Sequence, residues 1–136
     1  MIETDVEIRK LLPIDWALRT TSLDRVFRVD DKELLNLPRI ALVQYKDKKN
    51  FIVVDGHHRA ARYLLAGKLL VPSKVLETDT DVKKCYDGAL DMGFFETLER
   101  VRQEYEQFWK PGCVEHKVYS IEDLLKKHKR EIRGLR

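Results

Sequence analysis

The chain has 136 residues, enough for one domain but not for two, and about two-thirds of its surface would be buried on folding. With 43% apolar and 36% charged residues, its composition excludes a disordered tail and a membrane-spanning protein. The net charge of +3 is small, and two cysteines are too few for a disulfide framework. With so few cysteines we expect a reducing compartment. Residues 1–5 are acidic, unlike the basic start of a signal peptide, so we expect a cytoplasmic location.

The N-terminal part of the chain is expected to form a strand followed by short elements. Residues 6–12 begin with alternating apolar and polar side chains, which predicts a strand that ends at Pro13. The elements predicted next are a helical turn at 14–18, a polar loop at 19–22 and a short helix at 32–37 capped by Asp30 or Asp31.

A hairpin and a helix are predicted in the middle of the chain. Two β-rich segments, 40–45 and 51–54, are separated by the five polar residues 46–50, a pattern that predicts a β-hairpin. The apolar residues of 59–66 share one helical face, and Gly67 supplies a C-terminal stop.

The rest of the chain is predicted as one more strand followed by helices. Residues 69–76 are β-rich, and Pro72 marks an edge or the start of that strand. Thr80 is expected to cap a helix, and a later helix over 94–109 is expected to stop at 110–112, where proline and glycine occur. The first of these helices has an apolar face formed by Val82, Cys85, Tyr86, Ala89 and Leu90, and the second has one formed by Phe94, Phe95, Leu98, Val101, Tyr105, Phe108 and Trp109. A capping box at Ser120 predicts a third helix. Its apolar face is formed by Ile121, Leu124, Leu125, His128 and Ile132. This order predicts an α+β core with a helical C-terminal extension.

The stretch Asp55-Gly56-His57-His58-Arg59 lies between a predicted buried strand and a predicted helix. Gly56 allows a tight turn and a close approach of the backbone to a ligand. The helix begins with free N–H groups, and its dipole favours an anion there. His57 and His58 can donate hydrogen bonds, and Arg59 can bind a phosphate through two N–H groups. The motif therefore predicts a phosphate-binding helix N-terminus.

Asp55 fits a phosphate site only if its charge is neutralised, because a carboxylate repels phosphate. It would either bind Mg²⁺ together with the phosphates or accept a proton from an attacking hydroxyl. The structural alternative is that Asp55 caps the helix while the two histidines solvate its first turn. A transition-metal site is disfavoured, because adjacent helical residues do not face one point and no second ligand pair is near in sequence.

Residues 53–62, Val-Val-Asp-Gly-His-His-Arg-Ala-Ala-Arg, followed by Leu65-Ala66-Gly67-Lys68 and Val71-Pro72, resemble the second conserved box of the ParB/sulfiredoxin superfamily, the ParB-like nuclease domain. The Asp-Gly-His-His-Arg form is most similar to archaeal free-serine kinases that use ADP. ParB partition proteins have Gly-Glu-Arg-Arg there and bind CTP, and sulfiredoxin has Gly-Cys-His-Arg and binds ATP. The resemblance covers residues 5–78. It implies a small mixed sheet with short helices in a nucleotide-binding core at 1–78, and a nucleotide (ADP or ATP, with CTP as an alternative) with Mg²⁺. The phosphates would be bound by Gly56, His57, His58 and Arg59.

The chain departs from these relatives at three points. Free-serine kinases carry an essential glutamate in the loop after the first strand, whereas residues 13–25 contain no glutamate and offer Asp15 and Asp24 instead. The reactive cysteine of sulfiredoxin would fall at His57, so sulfinic acid repair is not expected. ParB proteins continue into a helix-turn-helix DNA-binding domain, whereas residues 79–136 predict an aromatic-rich helical extension packed on the core.

Further candidate residues follow from the same likeness, which places the region after residue 18 beside the nucleotide. The additional phosphate-binding candidates are Arg19, Thr20, Thr21, Ser22 and Arg25. An ordinary polar loop is the alternative for this region. Cys113 and His116 have Cys-x-x-His spacing, which is a weak indication of a metal site, and a structural turn cysteine is favoured.

Positive charge is concentrated at the C-terminus. Residues 125–136 contain six basic residues and one acidic residue, so the rest of the chain is net acidic. This tail either contacts nucleic acid or complements the negative end of the last helix. The aromatic residues of the extension indicate a core or a homodimer contact. Few Asn and Gln beside many Lys, Arg and Glu are typical of thermophilic proteins.

Together these features predict a nucleotide-binding protein that acts as a phosphotransferase on a small hydroxyl substrate. His57, His58 and Arg59 would balance the developing charge, Asp55 would hold Mg²⁺ or take the hydroxyl proton, and Asp15 or Asp24 would replace the glutamate. Two alternatives remain open: a non-enzymatic DNA-associated module with the nucleotide as a switch, and a metal-dependent nuclease that uses Asp55. No membrane partner is expected.

Overall fold

The computed structural model describes residues 1–86 and 97–135, except for the side chains of residues 20–22 and 86. Within this part of the chain it contains a five-stranded mixed sheet and seven α-helices. The fold is therefore mixed α+β, as the order of predicted elements indicated.

The five strands form one sheet. They are β1 (Ile2–Glu7), β2 (Leu11–Leu12), β3 (Ile40–Gln44), β4 (Phe51–Asp55) and β5 (Leu70–Leu76). Their order in the sheet is β1-β5-β3-β4-β2. The β1–β5 and β3–β4 pairs are antiparallel, and the β5–β3 and β4–β2 pairs are parallel.

The helices flank this sheet. They are α1 (Thr20–Phe27), α2 (His57–Leu65), α3 (Asp79–Tyr86), α4 (Leu98–Glu104), α5 (Lys110–Glu115), α6 (Ile121–Lys127) and α7 (Lys129–Gly134). Two 3₁₀ turns, Ile8–Lys10 and Asp31–Asn36, and one π-helical turn, Tyr105–Trp109, complete the described elements.

Alternate residues of β3 and β4 face opposite sides of the sheet, and each side carries its own apolar cluster. Leu42 and Val53 belong to the cluster that contains residues of α1, α2 and α6. Val43 and Val54 belong to the cluster that contains residues of α3 and α4. The sheet is therefore a central layer between two sets of helices.

The predicted hairpin is confirmed, because β3 and β4 pair antiparallel across a short loop. The N–H of Tyr45 donates to the carbonyl of Asn50 over 2.9 Å, and the Asp47 carboxylate accepts backbone N–H groups inside the loop. The strand predicted at 69–76 is also present as β5. Pro72 lies where β5 has only β1 as a neighbour, since pairing with β3 begins at Ser73.

Helix caps agree with the sequence at two of three positions. Asp30 caps the second 3₁₀ turn and Ser120 caps α6, each by accepting a backbone N–H. The cap predicted at Thr80 is wrong. The Thr78 hydroxyl accepts the N–H of Asp81 over 3.1 Å, and the Asp81 carboxylate accepts the N–H of Thr78 over 3.2 Å. This reciprocal pair starts α3 one residue before Thr80.

The single strand predicted at residues 6–12 is wrong. β1 ends at Glu7 and β2 begins at Leu11, with a 3₁₀ turn between them. The two strands lie at opposite edges of the sheet, so the chain must cross the end of the sheet between them. Alternation of side chains shows local strand character but not which neighbour a strand pairs with.

The predictions for residues 14–22 are also wrong. Residues 14–18 are not helical, and α1 begins at Thr20, where a loop was predicted. Leu23, Val26 and Phe27 of this helix are buried in the core. Burial of that face stabilises a helix whose first turn has no helical sequence pattern.

The helix predicted to stop at 110–112 continues through that triplet. The N–H of Lys110 donates to the carbonyl of Tyr105, five residues back, and α5 follows directly. Pro111 lies in the first turn of α5, directly after the π-helical turn. Parts of the two helical faces predicted at 82–90 and 94–109 lie outside the described residues.

We predict that Gly112→Ala lowers the free energy of unfolding by about 1–2 kcal/mol. A Cβ at Gly112 would lie 2.5 Å from Cζ3 of Trp16, whose ring stacks on His116 with a centroid separation of 5.0 Å. Gly134→Ala is the matched control, because a Cβ there meets nothing within 4 Å. Urea denaturation of both variants measures the effect, and equal stability of the two would contradict the prediction.

Candidate functional site

The turn between β4 and α2 is built on Gly56. Its φ is +115°, and a Cβ there would lie 2.4 Å from Cγ2 of Ile40, so no other residue fits without displacing the strand. Gly56 is the N-cap of α2, and no described side chain caps this helix end. Asp55 therefore does not act as the helix cap that the structural alternative required.

A cavity of about 290 Å³ opens in front of this helix end. The first-turn N–H groups of α2 point out of the helix N-terminus toward it. Its lining residues are Ile14, Asp15, Arg19, Arg25, Val26, Val54, Asp55, Gly56, His57, His58 and Arg59. All five residues of the sequence motif thus contribute to one cavity, together with residues from the segment before α1 and from α1 itself.

Arg59 is held by the protein's own acceptors. Its Nη2 lies 2.9 Å from Oδ2 of Asp55, and its Nη1 donates to the carbonyls of Pro38 and Arg39 at 3.0 and 3.1 Å. The Asp55 carboxylate is 62% exposed, whereas the Arg59 side chain is 15% exposed. The guanidinium therefore neutralises Asp55 and fixes the loop before β3, so an incoming phosphate would compete with these contacts.

His57 is buried and accepts hydrogen bonds rather than donating through Nε2. The N–H groups of Ile14 and Asp15 reach this atom at 3.0 and 3.4 Å. The other ring nitrogen, Nδ1, lies 3.5 Å from Oδ2 of Asp15. Burial lowers the pKa of His57, more than the nearby Asp15 charge raises it, so the ring is neutral with its proton on Nδ1. His57 thus positions Asp15 at the cavity.

His58 and His128 repeat this arrangement. Nε2 of His58 accepts the N–H of Arg19 over 2.8 Å, and Nε2 of His128 accepts the N–H of Leu18 over 3.0 Å. Burial also lowers the pKa of His58. His128 faces Glu131 through its other ring nitrogen at 3.1 Å. Three imidazoles therefore satisfy backbone donors of residues 13–19, which we call the 13–19 segment.

The C-terminal helices hold the same segment by further contacts. Cys113 donates its thiol to the carbonyl of Pro13 over 3.4 Å, and Lys127 donates to the carbonyl of Trp16 over 2.6 Å. Burial raises the pKa of Cys113 to about 11, so it remains a thiol. Cys113 lies inside α5 and not in the turn that was predicted for it, and His116 stacks on Trp16.

The predicted carboxylates behave differently from each other. Asp15 lines the cavity and is about half exposed. Asp24 lies on α1, where it forms an ion pair with Arg28, and it is not among the residues that line the cavity. Asp15, and not Asp24, therefore lines the same cavity as Asp55.

Two of the phosphate-binding candidates outside the motif are arginines that lie at the cavity. Arg19 and Arg25 both line the cavity, and within residues 1–86 and 97–135 neither has an ion-pair partner. They are the cations whose charge is available to an anion, whereas Arg59 is already engaged by Asp55. The side chains of Thr20, Thr21 and Ser22 lie outside the described residues.

Sequence reasoning missed the role of His128 and of the helices around it. This histidine lies 110 residues from its hydrogen-bond partner Leu18, and in the sequence it appeared only as one member of an apolar helical face. No local pattern identifies it. The only available sign was a histidine on an otherwise apolar face, which requires a polar partner when buried.

No protein-family model matches the chain, and no curated protein matches its sequence. In the described ranges no helix is both long and apolar enough to cross a membrane. The same ranges hold no group of three or more His, Cys, Asp or Glu side chains placed to bind one metal ion.

We predict that the protein loses stability as the pH falls from 7.5 to 5.5. The pKa values of His57 and His58 are lowered in the folded state, so the unfolded chain binds more protons. The contribution of these two histidines to the free energy of unfolding is complete above their pKa in the unfolded chain, which is about 6.5. This contribution is lost as the pH falls from that value toward their lower pKa values in the folded protein.

Urea denaturation at several pH values measures this dependence. His57→Gln retains a side-chain acceptor without titrating and should reduce the slope. His116→Gln is the control, because His116 stacks on Trp16 and is not one of the three acceptors. A free energy of unfolding that is constant or that rises toward pH 5.5 would contradict the prediction.

Proposed function

We propose that the cavity at the N-terminus of α2 binds the phosphate groups of a nucleotide. The observation that carries the proposal is a helix start at Gly56 that no described side chain caps, on the same cavity as Arg19 and Arg25. These two arginines have no ion-pair partner among the described residues. Backbone N–H groups and the helix dipole favour an anion at this end, and the arginines supply net positive charge. Either feature alone is common, but here both line one cavity and can therefore contact the same ligand.

Three arginines and two carboxylates set the charge of this cavity. Asp55 is neutralised by Arg59, so Arg19 and Arg25 outweigh the remaining carboxylate, Asp15. His57 and His58 contribute no charge while they accept backbone N–H groups. The cavity therefore has a positive balance without counting the helix dipole, which is what a polyphosphate requires.

The likeness of residues 53–72 to the ParB/sulfiredoxin superfamily supports a nucleotide rather than a simple phosphate. It points to ADP or ATP, with CTP as the alternative. The mixed sheet that places the motif between β4 and α2 is compatible with this likeness. The base and the ribose would lie beyond the part of the cavity that the motif lines.

We further propose that the reaction is phosphoryl transfer to a small hydroxyl substrate, with Asp15 as the proton acceptor. Nε2 of His57 accepts the backbone N–H of Asp15, and Nδ1 of His57 faces the Asp15 carboxylate. The Asp15 side chain is about half exposed, so its carboxylate is accessible from the cavity. A carboxylate held at the phosphate site can accept the hydroxyl proton as the hydroxyl oxygen bonds to the terminal phosphorus of the nucleotide. The bond from that phosphorus to the bridging oxygen breaks in the same step, and the shortened nucleotide leaves with this oxygen. Asp55 is the residue that would hold Mg²⁺, which supplies charge neutralisation at the phosphates.

Binding is tested by thermal denaturation with ADP, ATP and CTP, each with and without Mg²⁺. A nucleotide at about 100 times its dissociation constant adds about 2.7 kcal/mol and should raise the midpoint by several degrees. Arg19→Gln and Arg25→Gln should each weaken binding about tenfold, because each removes a charge-assisted hydrogen bond. Arg28→Gln is the matched control at the C-cap of α1, since Arg28 pairs with Asp24 and does not line the cavity.

Two results would overturn nucleotide binding. One is the absence of a shift with any nucleotide, and the other is an equal loss of affinity in Arg28→Gln and in Arg25→Gln. In the first case, duplex DNA binding that weakens steeply with salt and disappears when the exposed residues Lys129, Arg130 and Arg133 are replaced by Gln would favour the DNA-associated alternative instead.

Phosphoryl transfer is tested with the Asp15→Asn and Asp24→Asn pair. With labelled nucleotide and a panel of small hydroxyl compounds beginning with serine, Asp15→Asn should lower the turnover number at least a hundredfold, in keeping with general base catalysis. Asp24→Asn should leave turnover within about twofold, because an exposed ion pair contributes little. Nucleotide binding with no phosphorylated product, or product formation unchanged in Asp15→Asn, would remove the catalytic part of the proposal.

A further inference from the structure

A second cavity lies at the opposite end of α2. It has a volume of about 490 Å³ and is formed between the C-terminal part of α2 and the helices α6 and α7. Its lining residues are Leu64, Leu65, Glu122, Leu125, Lys126, Lys129, Ile132 and Arg133. Four of them are aliphatic and four are charged, so the groove offers an apolar wall beside a charged rim.

The apolar wall is only partly covered by the protein itself. Leu64, Leu65 and Leu125 are half-buried and pack against the core cluster on one side, while they line the groove on the other. Covering apolar area that is still in contact with water is favourable, because a ligand then removes that area from water. This groove therefore favours an occupant with an aliphatic part.

The charged residues on the rim of the groove favour a ligand that carries a negative group. Lys126 forms an ion pair with Glu122 over 3.2 Å. Lys129 and Arg133, one helical turn apart on α7, have no ion-pair partner within the described parts of the chain. These cations belong to the basic tail that the sequence singled out, and the fold places them beside leucines rather than along a polar stripe.

We propose that this groove binds an aliphatic monocarboxylate. Its chain would lie against Leu64, Leu65 and Leu125, and its carboxylate would meet Lys129 and Arg133. The volume is within the range of small-molecule sites, which are mostly apolar with a few charged groups. A partner helix would need a groove lined over several turns, whereas α6 and α7 have seven and six residues and are interrupted at His128.

The test uses the full chain and dodecanoate below its micellar concentration. Isothermal titration should give one molecule bound per chain, and the methyl signals of Leu64, Leu65 and Leu125 should shift in NMR spectra. Dodecanol and dodecyltrimethylammonium have the same chain without the negative charge and should bind at least threefold more weakly. Several molecules bound per chain, or equal affinity for all three compounds, would overturn the proposal.

Charge variants locate the site. Lys129→Gln and Arg133→Gln should each weaken dodecanoate binding about threefold, the effect of an exposed ion pair, and should leave dodecanol binding unchanged. Arg130→Gln is the matched control, because Arg130 is exposed on α7 and does not line the groove. An equal loss of dodecanoate affinity in Arg130→Gln would overturn the proposal. A dimer that forms with rising protein concentration, that persists with dodecanoate and that is lost in Lys129→Gln would also overturn it. Nucleotide binding plays no part in these measurements, so the two proposals fail independently.

Discussion

The 13–19 segment has no regular secondary structure, so its backbone donors depend on side chains from elsewhere. Three imidazoles accept the N–H groups of Ile14, Asp15, Leu18 and Arg19. A buried N–H without a partner costs about 1–3 kcal/mol, so these contacts determine whether the segment lies against the sheet at all. Since this segment carries Asp15 and Arg19, the cavity in front of α2 has a complete wall only while these hydrogen bonds are made and the C-terminal helices are folded. The helical extension is thus part of the site.

Features determined by neighbouring residues could be predicted from the sequence. The hairpin follows from two β-rich segments around a polar loop, and the caps at Asp30 and Ser120 follow from side chains that reach the next turn. Features determined across the fold could not be predicted. The break between β1 and β2 arises because they pair at opposite edges of the sheet, and α1 forms because its apolar face is buried by distant elements.

The motif at residues 55–59 indicated a candidate site, and its five residues line one cavity, but it did not indicate the role of each charge. Residue types indicate what a side chain can bind, whereas the fold decides which partner it meets. Arg59 meets the carbonyls of Pro38 and Arg39 and the carboxylate of Asp55, so it organises the turn. The charge available to a ligand comes instead from Arg19 and Arg25. Their contribution depends on α1, a helix that the sequence pattern did not predict.

The π-helical turn at Tyr105–Trp109 adds one residue to an otherwise α-helical run. Removing one residue there would restore a regular α-helix, yet it would rotate everything beyond it by about 100°. Cys113 would then turn away from the carbonyl of Pro13, and Gly112 would no longer face Trp16. The extra residue therefore sets the angular phase of α5. Deleting one residue from the π-helical turn would make the helix regular, but α5 would lose its contacts with the 13–19 segment.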